Sequence, residues 1–261
     1  MDEIRKRELL ESLVAGLGAE RGIGVPAKCD AGALWDEFRA LVNTRQPLPV
    51  DPGWLAQQDE LLQGMIAEAG IATIDDAVLS SEDARVRLWR GDITTFAADA
   101  IVNAANSQLL GCWVPGHFCI DNAIHTFAGV QLRIECARIM KAQGHEEPTG
   151  VAKITPAYNL PSKHVIHTVG PIANGVPTDL HRDQLASCYR SCLDLAAAHG
   201  LRSIAFCCIS TGVFGFPQKE AAEIAVRTVR IWLAEHASDM IVVFNVFGET
   251  DERLYREILS I

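Results

Sequence analysis

The chain has 261 residues, 49% apolar and 21% charged, a balance that supports a sizeable core and excludes a disordered or fibrous protein. Its formal net charge of -10 excludes a broad electrostatic grip on nucleic acid, so a phosphate-bearing ligand has to be held by local groups. No apolar run approaches the roughly 18 residues of a membrane span, and the charged start lacks the apolar core of a signal peptide, so a cytoplasmic monomer without a membrane partner is expected.

Residues 1 to 68 carry apolar residues at helical spacing, Ile4, Leu9, Leu10, Leu13 and Val14, then Leu34, Phe38, Leu41 and Val42. With no strand pattern beside them, they predict two or three helices. The stretch QPLPVDPGW at 46–54 punctuates the chain ahead of a further helical pattern over 54–69. This gives a helical extension over 1–72, a connecting segment over 73–84 and a main domain over 85–261. In the main domain the short β-rich runs VRLWR, DAIVNAA, KHVIHTV, SIAFCCIS and MIVVFNVF are separated by long helical segments, among them DQLASCYRSCLDLAAAH and KEAAEIAVRTVRIWLAEH. That order predicts an α/β layer fold. The runs 204–209 and 241–246 lack polar alternation, which predicts central strands covered on both faces. Ligands in such sheets bind beyond the carboxyl ends of the strands.

Four stretches carry candidate chemistry. Gly91-Asp92-Ile93-Thr94 follows VRLWR, and Asp92 there serves either as a cap or as an acceptor for a ligand. Asn103 and Asn106 close the next strand, where two amides facing a crevice read hydroxyls or else satisfy their own loop. Residues 210–217, STGVFGFP, lie between a predicted strand and a predicted helix, where a phosphate loop belongs. Gly212 and Gly215 allow positive φ and close backbone approach, as they would in any tight turn.

The sharpest feature is GCWVPGHFCIDNAIH at 111–125. Cys112, His117 and Cys119 offer thiolate and imidazole, the ligands zinc prefers, and three protein ligands leave a fourth position for water or substrate. His125 or Asp121 as a fourth ligand would instead make the site structural. His125, in the helical stretch AIHTFAG, reads as a packed histidine. Asp121, at a predicted helix start, reads as a cap, an orienter of a ligand or a base. Trp113 and Phe118 either shield the metal or belong to the core. Eight cysteines in a chain of this length point away from a disulfide framework. The remaining six, Cys29, Cys136, Cys188, Cys192, Cys207 and Cys208, read as packing residues.

Four segments resemble the macrodomain family, in its order: GDIT at 91–94, AIVNAAN at 100–106, TGVAKITPAYNLPSKHVIHTVGP at 149–171 and STGVFGFP at 210–217. The resemblance covers residues 85–261 and implies a three-layer α/β/α fold with a mixed central sheet, preceded here by the helical N-terminal extension. Where the family has a glycine-rich loop with a catalytic aspartate before its IHxxAG helix, this chain reads GCWVPGHFCIDNAIHTFAG, which resembles the zinc-dependent microbial branch. The resemblance implies that Asp92 bonds the adenine amino group with help from the Ile93 amide, and that Asn103 and Asn106 face the distal ribose. It further implies that Ser210, Thr211, Gly212, Val213, Phe214, Gly215 and Phe216 wrap the pyrophosphate and that Phe247 stacks on adenine. Asp121 and Asn106 take the catalytic roles, and Cys112, His117 and Cys119 hold Zn2+. The implied activity is hydrolytic removal of mono-ADP-ribose from modified protein side chains. A non-catalytic reader of ADP-ribose and a hydrolase of a small derivative such as O-acetyl-ADP-ribose are the alternatives. The extension either walls one side of the cleft or recruits the modified protein.

Overall fold

The computed structural model describes residues 1–24 and 30–261; Cys29 lies outside them. Three helices open the chain, α1 (Glu3–Arg21), α2 (Ala31–Asn43) and α3 (Pro52–Ala69). Each starts at an aspartate, Asp2, Asp30 or Asp51, whose carboxylate accepts from the amide three residues on, a cap that stabilises a helix by about 1 kcal/mol. Leu9, Leu10, Leu13 and Leu17 of α1 meet Leu34 and Phe38 of α2 and Leu61 and Leu62 of α3 in a core of their own, which also takes in Val130 from later in the chain.

Next come β1 (Ala72–Thr73), β2 (Val78–Leu79), β3 (Val86–Arg90), a 3-10 turn over Ile93–Thr95, β4 (Phe96–Ala97) and β5 (Ala100–Ala105). The helices α4 (Ile120–Ala128) and α5 (Val130–Gln143) precede β6 (Ala152–Pro156) and β7 (His164–Val169). The chain closes with α6 (Asp179–Ala198), β8 (Ser203–Phe206), α7 (Gln218–Glu235), β9 (Ile241–Val246) and α8 (Glu249–Leu259). Seven strands form one sheet in the order β2-β3-β9-β8-β5-β7-β6, and β1 pairs separately with β4. The five inner strands are parallel, while β2 and β6 run antiparallel at the two edges. This mixed sheet, flanked by helices, bears out the α/β layer fold expected from the pattern of elements and the three-layer form with a mixed sheet that the family resemblance implies.

The predicted central strands lie inside the sheet as β8 and β9, but β8 is shorter than the apolar run that announced it, because the chain leaves the ladder at Cys207. The segment 73–84 is more than a connector, since it contains β2, and a two-residue strand is too short to show a period of two. Helix α5 goes beyond the predicted elements because its buried stripe, Val130, Leu132, Arg133 and Cys136, is interrupted by an arginine. Helix α8 does so because it buries only Tyr255 and Leu259. Among the described residues, no helix is long and apolar enough to cross a membrane.

A polar seam joins the two cores. Gln58 is fully buried, accepts from the Val130 amide at 2.9 Å and donates to Gln131 at 2.9 Å. Asn159 donates to Asp59 at 2.7 Å and accepts from Gln63 at 2.9 Å. Gly129, between α4 and α5, has φ +96°, and a Cβ there would stand 2.5 Å from Gln58 Nε2, so glycine permits the approach.

Candidate active site

The parallel register aligns the strand ends: Arg90 pairs with Val246, and Ala105 with Val169. The segments that follow β3, β5, β8 and β9 therefore emerge along one edge of the sheet. They carry Asp92, Asn106, the 210–216 loop and Phe247, so the topology brings together four sequence stretches spread over more than half the chain.

Asp92 does cap the 3-10 turn: its Oδ1 accepts from the Thr94 amide at 2.9 Å and the Thr94 hydroxyl at 2.7 Å. Those bonds leave its other carboxylate oxygen for a ligand, and the residue is exposed. The Ile93 side chain is buried, so only its backbone is available. Phe247, just past β9, is 78% exposed, the state of an aromatic face awaiting a partner.

The 210–216 loop is shaped by backbone hydrogen bonds. Phe216 N donates to Ser210 O at 2.9 Å, Gly215 N to Gly212 O at 2.9 Å, and the neighbouring strap docks through Ala173 N to Phe214 O at 2.8 Å and Gly175 N to Gly215 O at 2.7 Å. Among the described residues, no acceptor meets the amides of Gly212, Val213 and Phe214, which suits a phosphate. One expectation needs correction: Gly215 takes φ +64°, but the second left-handed residue is Ser210 at +66°, not Gly212. Ser210 is pinned there because it is buried against Gly170, whose lack of a side chain leaves room for the serine hydroxyl.

Asn103, in β5, is fully buried, and its Nδ2 donates to Asp121 Oδ1 at 2.8 Å and lies 3.2 Å from His167 Nδ1. Asn106, past the strand end, donates to Gly111 O at 3.0 Å and approaches Asp121 Oδ2 at 3.4 Å.

Asp121 sits in the first turn of α4, where a carboxylate complements the helix dipole. It is 4% exposed, and burial lifts its carboxyl to about 6 against the pull of the Asn103 donor and the Arg133 charge. A buried carboxylate held by two amides, with its pKa raised toward neutrality, is a candidate base.

The side-chain atoms of Cys112, His117 and Cys119 all lie within 4.8 Å of one another, with Cys112 Sγ 3.5 Å from His117 Nδ1. Neither His125 nor Asp121 belongs to this group. His125 lies instead with Cys136 and His167 in a fully buried cluster. The His167 nitrogens are already committed, Nδ1 to Asn103 and Nε2 to the Thr155 hydroxyl at 3.0 Å, and burial pushes its pKa down to about 3. That cluster is a neutral piece of core, in keeping with the packed reading of His125 and Cys136. Cys188, Cys192 and Cys207 are buried and Cys208 half-buried. Phe118 is not core, being 91% exposed, while the half-buried Trp113 ring lies 4.3 Å from the Arg133 guanidinium.

The residues that sequence reasoning passed over are His167, Arg133, Asn122, Arg39 and Asn43, all buried polar groups around Asp121 and the 112–119 loop. Arg133 alone had a local signal, a charge on the apolar stripe of α5.

A family model described as Macro domain matches residues 102–225. The protein-ADP-ribose hydrolase of Treponema medium is 53% identical over 258 residues, 98% of this chain and 98% of that protein. This chain belongs to the macrodomain family. The protein-ADP-ribose hydrolase of Staphylococcus aureus strain MSSA476 is 52% identical, covering 87% of this chain and 85% of that protein. Among solved macrodomains, that of Oceanobacillus iheyensis with ADP is 41% identical at TM-score 0.62, covering 70% of this chain and 94% of that one. The Trypanosoma brucei macrodomain in complex with ADP-ribose is 33% identical at TM-score 0.64, covering 84% of this chain and 94% of that one.

Proposed function

We propose that this macrodomain is a hydrolase that removes single ADP-ribose units from modified protein side chains, with Zn2+ held by Cys112, His117 and Cys119 beside the distal ribose. The hydrolases from Treponema medium and Staphylococcus aureus, alike over most of the chain, support the activity. The ADP and ADP-ribose bound in two related structures support the ligand. The observation that carries the metal is the gathering of two thiols and one imidazole two residues ahead of a buried carboxylate on the same sheet edge.

The donor set fits zinc. A tetrahedral ion with bonds of about 2.0–2.3 Å spaces its ligands roughly 3.3–3.8 Å apart, and the 3.5 Å between Cys112 Sγ and His117 Nδ1 falls in that range. Burial pushes the Cys119 thiol up to about 12, with Cys112 adding in the same direction, so two thiolates here call for a cation between them. When bound, the ion supplies a Lewis acid that lowers the pKa of a water or sugar hydroxyl and stabilises developing negative charge.

The chain's own groups do the rest. Asp92 accepts from the adenine amine and Phe247 stacks on the ring. The amides of residues 212–214 cradle the pyrophosphate, so a protein of net charge -10 binds a dianion through local dipoles. Asn106 holds the ribose end, and Asp121, aimed by Asn103, orients or deprotonates the nucleophile. Residues 1–72 form an extension with its own core, set against the catalytic unit.

The test is multiple-turnover release of ADP-ribose from a mono-ADP-ribosylated protein, before and after chelation. Release that stops on chelation while ADP-ribose still binds is expected. Binding without release would make the chain a reader, and release indifferent to chelation would remove zinc from the reaction.

A further inference from the structure

We infer that the helical extension is part of the metal site: Asn43 and Arg39 of α2 are positioning residues that fix the 112–119 loop and thereby its grip on zinc. The inference rests on the zinc reading above.

The loop has little of its own to fold on. Between its cysteines, Val114 is 56% and Phe118 91% exposed, and Gly116 takes φ +63°. Among the described residues a single backbone bond closes it internally, His117 N to Val114 O at 3.2 Å. Its other polar groups are met from outside. Asn43 Oδ1 accepts from Gly116 N at 3.0 Å, and Asn43 Nδ2 donates to the Thr126 hydroxyl of α4 at 3.0 Å. Arg39 Nη2 donates to His117 O at 3.3 Å, and its guanidinium lies 4.7 Å from the Phe118 ring. Asn122 of α4 donates to Val114 O at 3.2 Å.

Three consecutive handles of the loop, at 114, 116 and 117, are thus tied to two helices. Since Cys119 is the N-cap of α4, tying the loop to α4 through Asn43 fixes His117 and Cys119 relative to each other. The primary amide suits the task, because it presents an acceptor to Gly116 and a donor to Thr126 at once, and Asn43 is 1% exposed. Alanine there leaves the half-buried Gly116 amide hydrogen without its protein partner and lets the loop relax away from the ligand geometry. Loss of an outer partner of a metal ligand lowers metal affinity by about 10- to 100-fold.

The experiment uses the full chain: zinc affinity by competition with a chromogenic chelator, ADP-ribose affinity of the zinc-free protein by calorimetry, and thermal melting. For Asn43→Ala the zinc Kd is expected to rise about 10- to 100-fold with ADP-ribose affinity unchanged. Thr126→Val, which cuts the tie to α4 but leaves the Gly116 bond in place, is expected to weaken zinc by less than Asn43→Ala, a contrast that general loosening of α2 against α4 would not give. If Asn43→Ala does not fold, Arg39→Ala is read in its place and is expected to weaken zinc in the same direction. Wild-type zinc affinity in the folded variant, or equal loss in Thr126→Val, overturns the inference. A wild-type protein that binds no zinc overturns the metal reading as well, which keeps the two failures apart.

Discussion

Two loops serve the same edge of the sheet, and they are built in opposite ways. The 210–216 loop is closed mainly by bonds between backbone atoms, its own and those of the 173–175 strap, with the Thr211 hydroxyl donating to Cys208 O at 3.0 Å beside them. The 112–119 loop has one internal backbone bond among the described residues and takes its shape from side chains of α2 and α4. A backbone-closed loop suits a ligand bound through amides, which every residue except proline possesses. A loop braced by distant side chains can be recast by substitution, and here it carries a donor set where a glycine-rich turn is the family's usual form.

The largest expected effect breaks the comparison on the metal side. His117→Ala or Cys119→Ala should lower multiple-turnover release of ADP-ribose by at least about 1000-fold, since a Lewis acid is worth several kcal/mol of transition-state stabilisation. Affinity for free ADP-ribose, measured by calorimetry, should fall by less than about tenfold, or 1.4 kcal/mol. Next comes Asn103→Ala, which removes the donor that aims Asp121 and leaves His167 Nδ1 unpaired. A buried group left without its partner costs about 1–3 kcal/mol, so kcat should drop about 10- to 100-fold with KM little changed.

On the backbone-closed side, Gly215→Ala forces an L side chain into φ +64° and sets its Cβ 3.2 Å from Gly175 N. The left-handed conformation costs about 1–2 kcal/mol, which should lower the melting temperature and weaken ADP-ribose by about tenfold while kcat at saturation holds. A separate effect, on stability rather than on turnover, concerns pH. His167 is held neutral to about pH 3 by burial, and His125 shifts in the same direction, whereas an unfolded histidine protonates near 6.5. The unfolded chain therefore binds protons first, and stability should decline as pH falls below 6.5, by up to about 1.4 kcal/mol per pH unit for each histidine. Melting of the zinc-free protein between pH 7 and pH 5 checks this, and His167→Gln should flatten the curve.

What was legible in the sequence divides along the same line. STGVFGFP announced its loop because the bonds that close it on itself, Phe216 N to Ser210 O and Gly215 N to Gly212 O, are local, and the one error, assigning positive φ to Gly212 rather than Ser210, came from treating glycine as the default for that conformation. The alternating runs announced the α/β layer fold and the two central strands β8 and β9. The Cys112, His117 and Cys119 cluster was visible because a candidate metal site is carried by residue type at close spacing. Its supports were not: Asn43 and Gly116 are 73 positions apart, and Arg39 and His117 are 78 apart, so no window of sequence contains both members of a pair. The partnership of Asn103 with His167 was hidden too, since the two meet only when β5 pairs with β7.

Anomalous diffraction at the zinc edge, from crystals grown with ADP-ribose, bears most directly on the central claim. One peak is predicted among Cys112 Sγ, His117 Nδ1 and Cys119 Sγ, with no fourth protein ligand and its open side toward the distal ribose. A peak elsewhere, a fourth side chain closing the site, or no peak in active protein would contradict it.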